Sequence, residues 1–135
     1  MDDLIDLLCE RHQGALVALE LPDEDRLVEI EEQLLISLPG EYKEFLLTTG
    51  DIICGSLEPA TVTDDYAHNF LPELAAQAWN QGMPRSLIPV CWAEEGVYAI
   101  GQDGQIVFWV PGEGVNEDED WSSIWQWARE VWLES

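Results

Sequence analysis

The residues best able to do chemistry in this 135-residue chain are few and scattered. Cys9 and His12, spaced Cys-x2-His, would share one helical face, but no further ligand lies near them. The pair therefore reads as an ordinary helix end and not as a metal site. Cys54 or Cys91 could pair with His68 as a thiol–imidazole nucleophile. Nothing local activates either thiol, and buried strand cysteines are the commoner case. The run Asn116-Glu117-Asp118-Glu119-Asp120 has the oxygen density of a calcium loop. It lacks both the glycine of the sharp turn and the closing glutamate, so it reads as a solvated acidic loop leading into a helix. With 28 Asp and Glu residues, some carboxylates must be close by chance, so carboxylate pairs are uninformative. No dinucleotide, Walker, nucleophile-elbow or zincin motif occurs. The sequence thus predicts no catalytic residue, no metal and no cofactor.

Charge is the dominant compositional fact. Five Lys and Arg stand against those 28 acids, a net charge of −23. Such a surface repels nucleic acid and anionic lipid and attracts cationic proteins at enhanced rates. Five basic residues cannot neutralise a phosphate path, which excludes a basic nucleic-acid groove. Imitation of nucleic acid by surface acids stays open. Hydrophobic residues make up 47% of the chain, enough for a core and too many for disorder. No apolar run reaches the roughly 18–20 residues of a membrane span. The N-terminal "MDDLIDLLCERH" is acidic where a secretory leader is basic, so the expected location is cytoplasmic. Three cysteines without a CxxC fit free thiols in a reducing compartment.

The elements that must carry these groups follow from periodicity. Residues 2–13 read as a helix stopped by Gly14. A second helix follows Pro22, with Leu27, Ile30, Leu34 and Leu35 inward and Asp23, Glu24 and Asp25 at its positive end. A third is "LPGEYKEFLLTTG", with Pro39 in the first turn, Ser37 or Leu38 as cap, Tyr42, Phe45 and Leu46 inward, and Gly50 as stop. Next, "DIICGSLEPATV" suits a short strand or two, Pro59 favouring an edge. A helix over Pro72–Gln81 places Leu71, Leu74, Ala75, Ala78 and Trp79 inward. Then come "SLIPVCW", "VYAIG" and "QIVFWV", three strands joined by "AEEG" and by an Asp103-Gly104 two-residue hairpin turn, with "PGEG" ending the third. The tail from Asn116 reads as a last helix with a Trp121, Ile124, Trp125, Ala128, Trp132 stripe. The expected fold is one α+β domain over 1–135, an antiparallel β-meander with N-terminal helices packed on it and a C-terminal helix.

On the third strand, alternation sets Ile106, Phe108 and Val110 on one face and Val107 and Trp109 on the other. The Trp109 face is either covered by the C-terminal helix or open to a partner. Acidic residues expected in loops at the ends of the sheet are the remaining partner-binding candidates: Asp64, Asp65, Glu94, Glu95, Glu117, Asp118, Glu119 and Asp120. Each could equally be a solvated loop residue.

Residues Leu38, Pro39, Tyr42, Phe45, Leu46 and Gly50 match the Leu-Pro-x-x-Tyr-x-x-Phe-Leu…Gly helix of the SUKH superfamily, which includes the fungal Smi/Knr cell-wall regulators. The order of strands and the terminal helix agree, so the chain resembles that family over about residues 20–133, with the signature helix at about 38–50. The resemblance implies a binding domain rather than an enzyme. Bacterial members look like immunity proteins that neutralise polymorphic toxins, many of them nucleases. A basic toxin would find an acidic partner by electrostatic steering. The alternatives are a regulatory or housekeeping interaction domain with no toxin and, least favoured, an enzyme using Cys54 or Cys91. No oligomeric state follows from the sequence.

Overall fold

The computed structural model of the chain describes residues 22–49, 59–62, 70–93 and 95–133. The helix expected over 2–13, the Gly50 stop and the strand expected in residues 51–58 lie outside them. Helix α1, Glu24–Leu34, begins where the Asp23 carboxylate accepts from Arg26 N at 2.8 Å, satisfying one of the four N–H groups a helix start leaves open. Leu27, Ile30 and Leu34 are buried along its inner face as expected. Leu35 is not: the chain turns left-handed there, at φ 60°, and its side chain is 83% exposed. It ends the helix instead of extending the apolar stripe.

Helix α2, Gly40–Thr49, follows at once and buries Tyr42, Phe45 and Leu46, with Leu38 buried just before it. Helix α3, Leu71–Asn80, buries Leu71, Leu74, Ala75 and Ala78. The Pro59–Val62 segment joins these layers. Arg26 Nε donates to Val62 O at 2.7 Å, and Leu71 N donates to Thr61 O at 2.8 Å.

Four strands follow in meander order: β1 Ile88–Trp92, β2 Val97–Ile100, β3 Ile106–Val110 and β4 Gly114–Trp121, all antiparallel neighbours. The Asp103-Gly104 turn is longer than the two residues expected. Gly101 N bonds Gln105 O at 2.9 Å around Gln102, Asp103 and Gly104, and Gly104 takes φ 88°. Three-residue hairpins use a left-handed last residue in this way.

Strand β4 replaces the loop-to-helix passage expected for Asn116–Trp121. "PGEG" does not end the sheet but turns it into this strand, where Val115 pairs with Trp109 and Asp120 with Val107. Acidic residues have low strand propensity, and pairing with β3 overrides it. The pairing shifts register between Val107 and Phe108, which face Asp120 and Asn116, so Glu117, Asp118 and Glu119 fall in a bulge. The terminal helix therefore begins later than expected. Ser123 caps it, accepting from Gln126 N at 3.1 Å, while Gln126 Oε1 accepts from Ser122 N at 2.8 Å. Helix α4, Ile124–Trp127, widens into a π-turn over Ala128–Trp132, with Leu133 N bonded to Ala128 O at 2.8 Å.

The main core lies between the helices and one face of the sheet. Phe45 sits among three tryptophans, at ring-centroid distances of 5.4 Å from Trp125, 6.5 Å from Trp127 and 5.7 Å from Trp132. Trp127 also meets Tyr98 at 5.5 Å, and Tyr98 meets Trp121 at 5.6 Å. The expected inner stripe of Ile124, Trp125, Ala128 and Trp132 is buried, and so is Trp127. Because α4 contacts both Phe45 of α2 and Tyr98 of the sheet, it loses more than one face to the core. Trp121 belongs to β4 and is only half-buried.

Candidate partner-binding surface

Strand register decides which candidate groups can meet. Val97 and Ala99 pair with Trp109 and Val107, so all four share the sheet face opposite Tyr98 and Phe108. Trp109 is 3% exposed and clusters with Ala78, Met83, Val97 and Ala99. The Trp109 face is therefore covered there, and the cover comes from the end of α3 and the segment after it, not from the C-terminal helix. Buried in this way, Trp109 offers a partner no contact surface. Gly96 makes the close packing of this region possible, since a β-carbon there would stand 2.3 Å from Trp109 O.

The two acidic candidates whose side chains are described, Glu95 and Asp120, do not form one patch. Asp64, Asp65 and Glu94 lie outside the described residues. Glu95 is exposed in the β1–β2 turn, at the end of the sheet where Trp92 pairs with Val97. Glu117, Asp118 and Glu119 occupy the β4 bulge rather than a loop. Asp120 is exposed at the far end of the sheet, beside the Ile106–Trp121 pair, and accepts from Gln105 Nε2 at 3.1 Å. Glu95 and Asp120 thus mark opposite ends of the sheet.

The thiol of Cys91 is buried on β1, where it meets the Trp92 carbonyl at 3.6 Å. Among the described residues no group of three or more His, Cys, Asp or Glu is placed to hold a metal ion. None of their helices is long and apolar enough to cross a membrane.

Two further surface features stand out. Arg85 lies over the Trp79 ring at 4.5 Å, at a cleft shared with Gln33 and Asn80. The second is a groove of about 400 Å³ between α1 and α2, lined by Leu27, Val28 and Leu47 with Glu24, Glu31 and Glu44 around them. Val28 was not singled out from the sequence, although its signal is there, an apolar residue off the inward stripe of α1 among acidic neighbours. The facing residues of α2 could not be paired with it without the tertiary fold.

Helices packed on an antiparallel meander, closed by a tryptophan-rich terminal helix, are the fold the resemblance implied, and the fourth strand adds to it. The chain belongs to the SMI1-KNR4 cell-wall family (SUKH_5), whose family model matches residues 1–133. It is similar to a protein from Pseudomonas syringae pv. tomato known from its crystal structure. The two are 52% identical, with a TM-score of 0.95 over 100% of each chain. No curated protein matches it.

Proposed function

We propose that this chain is a non-enzymatic protein-binding domain acting in the cytoplasm as an immunity protein, one that binds and occludes a basic toxin such as a nuclease. The net charge of −23 on an SMI1-KNR4 family fold carries the reading. A nuclease is basic around its substrate groove, and an acidic partner is steered there and excludes the nucleic acid. Of the contact residues proposed from sequence, the acids Asp64, Asp65, Glu94, Glu95, Glu117, Asp118, Glu119 and Asp120 are retained, while Trp109 is set aside because it is buried.

A competition in contact between the parental strain and a strain deleted for this gene tests the role. Selective killing of the deletant, rescued by this chain, supports immunity. Equal survival under conditions where siblings deploy their toxins counts against it and favours a regulatory interaction domain with no toxin. The cell-wall description of the family supports that second reading.

A further inference from the structure

The α1–α2 groove is built from two matching stripes. Glu24, Leu27, Val28 and Glu31 fall at i, i+3, i+4 and i+7 on α1, and Gly40, Lys43, Glu44 and Leu47 repeat that spacing on α2. Each stripe thus presents a row of residues to the space between the helices. Val28 is 51% exposed there, one of only three large hydrophobics so exposed among the described residues. Gly40 keeps one end open, since a β-carbon on it would meet nothing within 4 Å.

Among the described residues the free charges around this apolar floor are of one sign. Lys43 is the one cation on the rim among the described residues, and it is engaged by Glu31 at 3.3 Å. Glu31 is itself fixed, because its other oxygen accepts from Leu38 N at 2.8 Å. Glu24 and Glu44 have no ion-pair partner among the described residues. An apolar strip bordered by two unpaired carboxylates complements a helix with an apolar ridge flanked by Lys or Arg, and a groove between two helices accepts such a ridge.

We propose that the α1–α2 groove docks a cationic amphipathic helix of the partner protein, its aliphatic side chains against Val28 and Leu47 and its cations at Glu24 and Glu44. The proposal rests on the reading above that the partner is basic, and adds where and how it is held. It moves recognition from charge alone to an apolar contact within a charged frame.

The probes are a helical lysine–leucine peptide and a lysine–glutamine peptide of equal length and charge, titrated into the full chain with amide NMR shifts as the readout. The leucine peptide is expected to bind about tenfold more tightly, the effect of burying one to two aliphatic side chains. Its shifts should centre on Val28, Gly40 and Leu47. Val28→Asp is the decisive variant. It adds negative charge, so attraction by charge alone would tighten binding, whereas loss of the apolar contact weakens it. Gly40→Gln fills the open end without altering charge and should weaken the leucine peptide too. Val28 and Gly40 are exposed, and unchanged far-UV circular dichroism checks that both variants fold.

Equal binding of the two peptides, undiminished by Val28→Asp, overturns the groove while leaving the electrostatic reading of the partner intact. Failure of both peptides to bind at low salt overturns the groove and that electrostatic reading together.

Discussion

The Tyr42 hydroxyl donates to the main-chain carbonyl of Pro89 at 2.9 Å, tying the signature helix to the first strand of the sheet. The bond falls where β1 slips register between Pro89 and Cys91, and Tyr42 is fully buried. Phenylalanine would fill the same space but take this hydrogen-bond donor away from a carbonyl inside the core. Tyr42→Phe should therefore destabilise the fold by about 1–3 kcal/mol. Urea unfolding should show a lower midpoint with an unchanged slope; an unchanged midpoint would mean that the hydroxyl contributes nothing.

The same tyrosine makes stability fall in alkali. Burial, with the Cys91 thiol acting in the same direction, raises the Tyr42 hydroxyl well above its ordinary value of 10.0. Above that pH the unfolded chain releases this proton and the folded chain keeps it. The unfolded state then binds fewer protons, so stability declines with rising pH. The contribution is fully present below pH 10 and is lost as pH climbs beyond it. Because Tyr42→Phe removes it, the stability gap between wild type and variant should narrow from about pH 8 to about pH 11. A gap constant across that range would contradict the assignment.

Leu35 holds a left-handed conformation with its side chain in water, a combination that suits glycine better. The left-handed region costs an ordinary residue about 1–2 kcal/mol, partly offset in glycine by its greater freedom when unfolded. Leu35→Gly should raise stability by about 0.5–1 kcal/mol, seen as a thermal midpoint higher by a few degrees. A lower midpoint would show that Leu35 makes a contact that outweighs the strain.

Trp127 is completely buried between Phe45 and Tyr98, and Trp121 only half-buried at the end of β4. Trp127→Ala should lose about 3–5 kcal/mol and Trp121→Ala clearly less. Equal losses in denaturant titrations would place the core elsewhere.

Gly96 is needed for its lack of a side chain, since its φ is not in the left-handed region. Gly96→Ala would press a methyl group onto the Trp109 carbonyl at 2.3 Å and must displace backbone. A destabilisation of about 1–3 kcal/mol is expected. Amide exchange should quicken locally at Trp109 and its neighbours, and unchanged exchange there would refute the contact.

Where periodicity and burial agree, the sequence was readable. Leu27, Ile30 and Leu34, the Tyr42, Phe45 and Leu46 face, the Leu71–Ala78 face and the first three strands all lie as their spacing requires. Strand β4 was not readable, because "NEDED" has the composition of a loop and extends only through pairing with β3. Trp127 was missed because a one-sided helix pattern cannot show burial on two sides. Of the site, the acidic character was plain, but the separation of Glu95 from Asp120 depends on strand order. The covering of Trp109 by Ala78 and Met83 is a contact across many residues that no local pattern records.

The two edges of the sheet are guarded by unlike means. Along β1, Pro59 bridges to Cys91 and Ala60 N bonds Val90 O, so this margin is already partly occupied. Along β4, the bulge at Glu117, Asp118 and Glu119 interrupts the regular ladder with three like charges in succession. Neither margin offers a long regular template to an incoming strand. Along the described parts of both margins, side chains rather than free backbone groups face outward in regular succession. Surface substitutions along these margins would therefore change what a neighbouring molecule meets while leaving the pairing of the sheet untouched.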